Sequence, residues 1–363
     1  MKLTINSIEL TKSLEQAAKF VSAKPLMPIL GNLKLVATEE RLEITGFNLA
    51  HGIQIECATE VVIDGSVCIP ASSIAIIKGM SGQLIVESDE NDLITISNLS
   101  GNIEIQGQST EDYPQLIGDD FNPQLSHKID SKSFSQAVKQ CSQSVSIDET
   151  KAVLTGVNIT AGSGNLRLIA TDGHRLTICN IPCDEAINIE SVTIPAKSLS
   201  LATDIKVDGA IKLSIDTHQV LVDSGDMSIM RTLDGNYPDA MMLIPKSFSR
   251  ELEIDRKQLI EALNMMAAIS DQNNVVKFEI DDKQTTVSSS SDGKKGKVDI
   301  ISKLSGKPLD LAFNLKYLID GLKMFATKQV KLSINEPLSP VIITEVESDF
   351  NLTYLVMPIQ LRD

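Results

Sequence analysis

The sequence contains no tryptophan, and aromatic residues make up 4% of its 363 positions. Single-stranded bases and sugars are gripped largely by stacking on aromatic rings, so this scarcity argues against both as ligands. No run of about 18 apolar residues is present to cross a bilayer. The opening Met1-Lys2-Leu3-Thr4-Ile5-Asn6 alternates like a first strand and offers no apolar signal core. A soluble, cytoplasmic protein without a membrane partner is expected. The cysteines Cys57, Cys68, Cys141, Cys179 and Cys183 are odd in number and scattered through apolar runs. That argues against a disulfide framework and suits small core residues in a reducing compartment. Cys179 and Cys183 lack a second pair, and His51, His127, His174 and His218 are isolated, so no metal and no cofactor is expected. A Gly-rich phosphate loop, G-x-S-x-G and H-E-x-x-H are all missing. Positive charge is short as well: 33 basic residues face 48 acidic ones, for a net charge of -15. Duplex binding is driven by neutralising phosphates, so only the distribution of charge can bring nucleic acid back into consideration.

What is present is repetition. Ser66-Val67-Cys68-Ile69-Pro70-Ala71-Ser72-Ser73 recurs 125 positions later as Ser191-Val192-Thr193-Ile194-Pro195-Ala196-Lys197-Ser198. Asp112-Tyr113-Pro114 recurs 124 positions later as Asn236-Tyr237-Pro238. Ile5-Asn6-Ser7, Ile129-Asp130-Ser131 and Ile254-Asp255-Arg256 each read as a strand end followed by a helix-capping residue. A period this long is a domain rather than a solenoid turn, and it gives three domains, 1–122, 127–246 and 250–363. Each runs strand, helix, strands, helix, strands. Phe134, Ala137, Val138, Cys141 and Val145 mark one helical face, and Leu259, Ile260, Leu263, Met266 and Ala267 another. Alternating runs such as Gln83-Leu84-Ile85-Val86-Glu87 are strands. Short turns between them mean antiparallel sheets and an α+β class.

Charge is sorted between these elements. The helical segments carry Lys12, Lys19, Lys24, Lys78, Lys132, Lys139, Lys197, Lys206, Arg256, Lys257, Lys316, Lys323 and Lys328, thirteen cations against seven anions. An excess of six there leaves the rest of the chain at -21, since the total is -15. Lys12 and Lys19, Lys132 and Lys139, and Lys316 and Lys323 are seven apart, two turns of one helix face. An acidic body bearing basic helices suits a protein that surrounds a polyanion.

At mid-chain, Thr171-Asp172-Gly173-His174-Arg175-Leu176 lies between strand-like runs. Asp172, His174 and Arg175 can be read as a catalytic cluster, or as a turn whose glycine supplies positive φ. An enzyme would need a nucleophile or metal partner that the sequence does not show. A repeat-built adhesion scaffold would not sort lysines onto helices.

Leu26-Met27-Pro28-Ile29-Leu30-Gly31-Asn32, Ala170-Thr171-Asp172-Gly173-His174-Arg175-Leu176, Asp234-Gly235-Asn236-Tyr237-Pro238-Asp239 and Tyr354-Leu355-Val356-Met357-Pro358 stand in the order found in one family. Along its whole length the chain resembles the bacterial DNA polymerase III beta subunits, the replication sliding clamps. The resemblance implies a non-enzymatic processivity factor: a head-to-tail homodimer whose six domains form a ring, sheets outside, with twelve helices around double-stranded DNA. Twelve helices about 10 Å wide make a circle roughly 38 Å across their axes. That admits a duplex loosely, so contacts are weak, phosphate-directed and sequence-independent.

It also implies site residues. Lys24 and Lys197 match basic positions that touch DNA, and Lys139 joins them on its helix face, whereas Ser72 and Ser73 replace such residues. Short peptides of polymerase subunits, the clamp loader and repair proteins are expected in an apolar pocket. Its deep part is Leu154, Thr171, Gly173, His174, Arg175, Leu176, Pro238, Leu243, Leu355 and Met357, with His174 and Arg175 projecting to the rim. Its shallower part is Val153, Asn314, Tyr317, Leu338, Pro358 and Ile359. Removing the chain after Thr353 is expected to abolish peptide capture. Ile103 and Ile105 are placed at the dimer interface against Ala268 and Ile269. There a basic loop, Asp292-Gly293-Lys294-Lys295-Gly296-Lys297, replaces the family's acidic one. Two readings stand for it: it faces Glu87, Asp89, Glu90 and Asp92 of the partner with the polarity of the seam partly inverted, or both are solvated loops that never meet.

Overall fold

The structure, a computed structural model, describes residues 1–117, 121–123, 125–183, 188–204, 209–270, 274–346 and 351–360. Lys206, Arg362 and Asp363 lie outside them. The first run of elements is β1 (Lys2–Asn6), α1 (Ser7–Ala18), β2 (Asn32–Thr38), β3 (Arg41–Phe47), β4 (His51–Ala58), β5 (Glu60–Ile63), β6 (Gly65–Pro70), α2 (Ile74–Ile77), β7 (Gln83–Ser88), β8 (Leu93–Asn98) and β9 (Gly101–Gln106). The second is β10 (Leu125–Asp130), α3 (Ser131–Cys141), β11 (Gly156–Gly162), β12 (Asn165–Thr171), β13 (Arg175–Pro182), β14 (Ile189–Pro195), α4 (Ala196–Thr203), β15 (Ala210–Ile215), β16 (Gln219–Asp223) and β17 (Met227–Arg231). The third is β18 (Arg250–Asp255), α5 (Arg256–Ala267), β19 (Val275–Ile280), β20 (Gln284–Ser291), β21 (Lys294–Ser305), β22 (Leu309–Asn314), α6 (Leu315–Met324), β23 (Gln329–Ile334), β24 (Val341–Glu345) and β25 (Asn351–Val356). Apart from the extra strand β5, the order is the same three times. The fold is α+β, built of three like domains with antiparallel sheets.

The expected caps form. Asn6 Oδ1 accepts from Ile8 N at 2.9 Å and Asp255 Oδ1 from Gln258 N at 3.0 Å. Asn314 does the same for α6, accepting from Lys316 N and Tyr317 N. Each such cap satisfies a backbone donor that the helix cannot and stabilises it by about 1 kcal/mol. Behind the caps, Phe134, Ala137, Val138 and Cys141 are fully buried, as are Leu259, Leu263 and Met266 to within 1%. Val145, expected on the first of these faces, falls beyond the helix end at Cys141, and Ala267 is exposed at the end of its own.

The chain packs as two compact units, Met1–Lys132 with Lys197–Thr232, and Ser133–Ala196 with Leu233–Asp363. The second domain is divided between them because its strands continue both neighbours' sheets. Within the first unit β17 pairs with β4, giving the order β10-β15-β16-β17-β4-β3-β2-β6. Within the second, β13 pairs with β25 through Arg175 to Asn180, giving β14-β11-β12-β13-β25-β24-β23-β18-β21-β20-β19-β22.

Several expectations are corrected. Lys24 and Lys328 lie outside helices, and Lys19 and Lys78 are C-caps. Among the described residues the six α-helices carry eight cations against four anions, so the sorting holds with a smaller excess. The basic stretch at 294–297 is not a loop: Asp292-Gly293 is the turn of a hairpin, and Lys294–Ser305 is a strand. Lys295 and Lys297 lie near Glu279. Across the expected seam, Glu87 pairs with Lys2 and Asp89 Oδ1 accepts from Asn91 N and Leu93 N, so two of the four acids are engaged at home. Ile105 is 9% exposed and Ile103 packs on the same core cluster, because β9 turns both side chains inward.

Candidate functional site

The site is built around the turn joining β12 to β13. Asp172 Oδ1 accepts from His174 N at 2.9 Å and Arg175 N at 3.0 Å. Gly173 has φ 90°, a left-handed conformation that costs glycine nothing. Asp172 Oδ2 is then left for Arg175 Nε at 3.0 Å. Arg175 Nη1 reaches Asp320 Oδ2 of α6, also at 3.0 Å, and the guanidinium lies 4.5 Å from the Tyr317 ring centre. The Arg175 side chain is 10% exposed. Burial works against its charge, but the Tyr354 hydroxyl and the two carboxylates outweigh it and raise its pKa above the ordinary arginine value. Arg175 therefore does not project to the rim. It ties the turn to α6, with its charge taken up by two acids. His174 does project: it is exposed and stacked on Tyr317 with ring centres 6.2 Å apart.

Under the turn lies an apolar floor. Leu176 and Leu355 are 1% and 2% exposed and cluster with Ile169, Ile178, Ala240 and Ile342, with Met357 packed over them. These two expected pocket residues are floor rather than surface. Met357 N donates to His174 O at 2.9 Å, and Ile359 N to Ala312 O at 2.7 Å, which ties the tail after β25 across the site. The half-buried Pro358 lies between them. Thr171 Oγ1 donates to Arg175 O and accepts from Gly173 N. Pro238 begins the connector that brings Ala240 onto the floor, and Pro238 O accepts from Ala240 N. Val153 and Leu154 are half-buried in the turn preceding β11, with Val153 beside Gly235. Asn314 contributes by capping α6 beneath Tyr317. Leu243 and Leu338 stand 53% and 52% exposed, Leu243 on the connector and Leu338 between β23 and β24.

The sequence reading missed Asp320, Tyr237, whose hydroxyl accepts from Thr171 N at 3.0 Å, and Ala240. A lone acid on a lysine-bearing helix was the only local sign of Asp320. Elsewhere, Lys24, Lys139 and Lys197 are all exposed. Ala268 is exposed at the C-cap of α5. Ile269 is half-buried where a Cβ on Gly296 would strike it, so the glycine permits close approach of helix end and strand.

In fold the chain matches sliding clamps. Against the crystal structure of the DNA polymerase sliding clamp of Bacillus subtilis the TM-score is 0.94, at 25% identity and with 100% of both chains covered. Against the beta subunit from DNA polymerase of Streptococcus pyogenes it is 0.93, at 26% identity, with 99% of this chain and 100% of that one covered. The beta sliding clamp of Synechococcus elongatus is 33% identical over 378 residues, covering 100% of each chain, and that of Bacillus subtilis is 28% identical over 387. Family models for the N-terminal, central and C-terminal domains of the DNA polymerase III beta subunit match residues 1–117, 128–239 and 241–360. The chain belongs to the DNA polymerase III beta subunit family, the bacterial beta sliding clamps. It is accordingly a DNA polymerase processivity factor and not an enzyme. Membership implies a dimer, with polymerase and DNA as partners in general. No helix among the described residues is long and apolar enough to cross a membrane.

Proposed function

We propose that two copies close head to tail into a ring around duplex DNA. Each copy then captures short peptides of polymerases, the clamp loader and repair proteins at the β13–β25 seam. The observation that carries the peptide reading is the brace beneath the β12–β13 turn, where Arg175 is tied at 3.0 Å to both Asp172 and Asp320. A turn anchored in this way gives His174 and Gly173 a fixed rim. Met357, packed over the floor, and the exposed Met242, Leu243 and Leu338 are unbranched or γ-branched side chains that adapt to different peptides.

Lys24, Lys139 and Lys197 are assigned to phosphate contact, which is salt-sensitive and weak enough to permit sliding. For closure, β9 is the last strand of its sheet. In β21, among the described residues, Lys294–Ile301 pair with β20 while β18 takes up only Ser302–Ser305 on the other side. Open edges accept strands, so β9 of one copy is placed against β21 of the other, with Ile103 beside Ala268 and Ile269.

Cutting the chain after Thr353 would also remove Tyr354, which is fully buried against Gly321. Deleting Met357–Asp363 is the cleaner test. The probe is a set of overlapping synthetic peptides spanning the cognate replicative polymerase, from which the tightest binder is taken. The deletion should lower affinity at least 100-fold by calorimetry. Dimer mass and retention on circular DNA in high salt should stay unchanged. Full affinity in the deleted chain would place the pocket elsewhere.

A further inference from the structure

We infer that the β4–β17 seam is a second copy of the peptide pocket, plugged in cis by Leu116, and that the pairing of residues 52 and 116 keeps it closed. This rests on the reading of the β13–β25 seam as the peptide site.

The two seams match in turn geometry, cross-strand hydrogen bond and register. At the β3–β4 turn Asn48 Oδ1 accepts from Ala50 N at 3.0 Å and His51 N at 2.9 Å, as Asp172 does for His174 and Arg175. Leu49 has φ 73° where Gly173 has 90°. Ala50 O accepts from Arg231 N at 2.8 Å where His174 O accepts from Met357 N at 2.9 Å. His51 is registered on Met230 as Arg175 is on Val356. Tyr113-Pro114 precedes Leu116 as Tyr237-Pro238 precedes Ala240.

The difference lies in who supplies the leucine. In the second unit the strand supplies it: Leu176 with Ala240 above, both 1% exposed. Met357, an unbranched side chain near the chain end, completes the cover. In the first unit the strand has Gly52, and a Cβ there would strike Leu116 Cδ1 first, then Phe47 Cδ2 and the Gly46 carbonyl oxygen. The connector thus drops a leucine into the slot that the glycine vacates, and the position of Met357 is held by the exposed Arg231. What remains is a cavity of about 190 Å³ lined by Phe47, Leu49, Pro114, Leu116, Ile229 and Arg231, below the roughly 300 Å³ at which ligand pockets begin. A cover tethered within its own domain has no competitor at millimolar effective concentration, so this seam stays shut to peptides that the other admits.

The test counts sites. The same polymerase peptide is titrated into the intact chain, L116A, and the exchange variant G52L/L116A, which rebuilds the strand-borne leucine. The intact chain should bind one peptide per protomer and the exchange variant two. Deleting Met357–Asp363 from that variant should leave one. G52L also requires Phe47 and the β3 backbone to shift. L116A is the milder variant: it only removes atoms from a half-buried side chain, so it keeps the fold if the exchange does not, and it too should show a second site. One site in both folded variants overturns the inference. No binding to the intact chain would instead be a failure of the peptide-site reading itself.

Discussion

The two seams share a backbone and differ in chemistry. At the β4–β17 seam the turn is held by a neutral network. Asn48 Oδ1 is fixed by the Ala50 and His51 backbone donors, which turns Asn48 Nδ2 toward His51 Nε2 at 3.1 Å. Nε2 is then the acceptor, so Nδ1 carries the proton and donates to Ser198 Oγ at 2.8 Å. Phe20 packs edge-on against the ring at 5.5 Å. At the β13–β25 seam the same position is Arg175, and the network is ionic, one guanidinium between two carboxylates. A neutral network fixes geometry with bonds worth about 1 kcal/mol each. A buried ionic one leaves a far larger penalty when a member is lost.

Arg175→Ala should therefore have the largest effect, a loss of about 3 kcal/mol, because it leaves Asp172 and Asp320, 13% and 24% exposed, facing each other without a cation. His51→Ala loses two such bonds, to Asn48 and Ser198, and should cost about 2 kcal/mol. Chemical denaturation of the two variants checks the ranking. Equal losses would show that the ion pairs do no more than the imidazole network.

Acid should separate the seams as well. Burial, with Lys197 nearby, lowers the His51 pKa below its ordinary value of about 6.5. The folded state thus favours neutral imidazole. The unfolded chain binds the extra proton first, so stability falls as pH drops from about 6.5 to the lower folded value and is flat below it. Protonation would place a hydrogen on Nε2 against the Asn48 amide. Arg175 does not titrate in that window. Hydrogen exchange corrected for intrinsic rates should show β4–β17 amides losing protection between pH 7 and pH 5, with β13–β25 amides steady. A parallel loss at both seams would remove His51 as the cause.

Much of this was legible in the sequence, because the signals were local. Asx residues after Ile5, Ile129 and Ile254 set the helix starts, and proline at 70 and 195 set the later ones. Asp172-Gly173 announced its turn. Asp292-Gly293 carries the same hairpin signal, and giving it equal weight would have made Lys294–Lys297 a strand from the outset. What stayed hidden was non-local. Arg175 and Asp320 are 145 residues apart and β4 and β17 farther still, and no period or propensity reports such a pairing. Whether a leucine belongs to a strand or to the connector above it likewise cannot be read until Gly52 and Leu116 are seen in contact.

The smallest expected effect concerns the turns themselves. Leu49 adopts the left-handed conformation that Gly173 adopts freely, at a cost of about 1 kcal/mol for a side-chain-bearing residue. It is retained because its side chain packs beside Leu30, Phe47, Cys68 and Tyr113. Leu49→Gly removes the strain but also half a buried leucine, worth about 1 kcal/mol, and adds chain entropy to the unfolded state. The first two nearly cancel, so the entropy term leaves a small net loss of about 0.5 to 1 kcal/mol. Gly173→Ala has no packing to gain, since nothing lies within 4 Å of the added Cβ, and should cost about 1 kcal/mol. Thermal melts of the two variants decide it. A loss above about 2 kcal/mol for Leu49→Gly would mean that Leu49 is held chiefly by its packing on the Leu30, Phe47, Cys68 and Tyr113 cluster, and that its backbone strain is incidental.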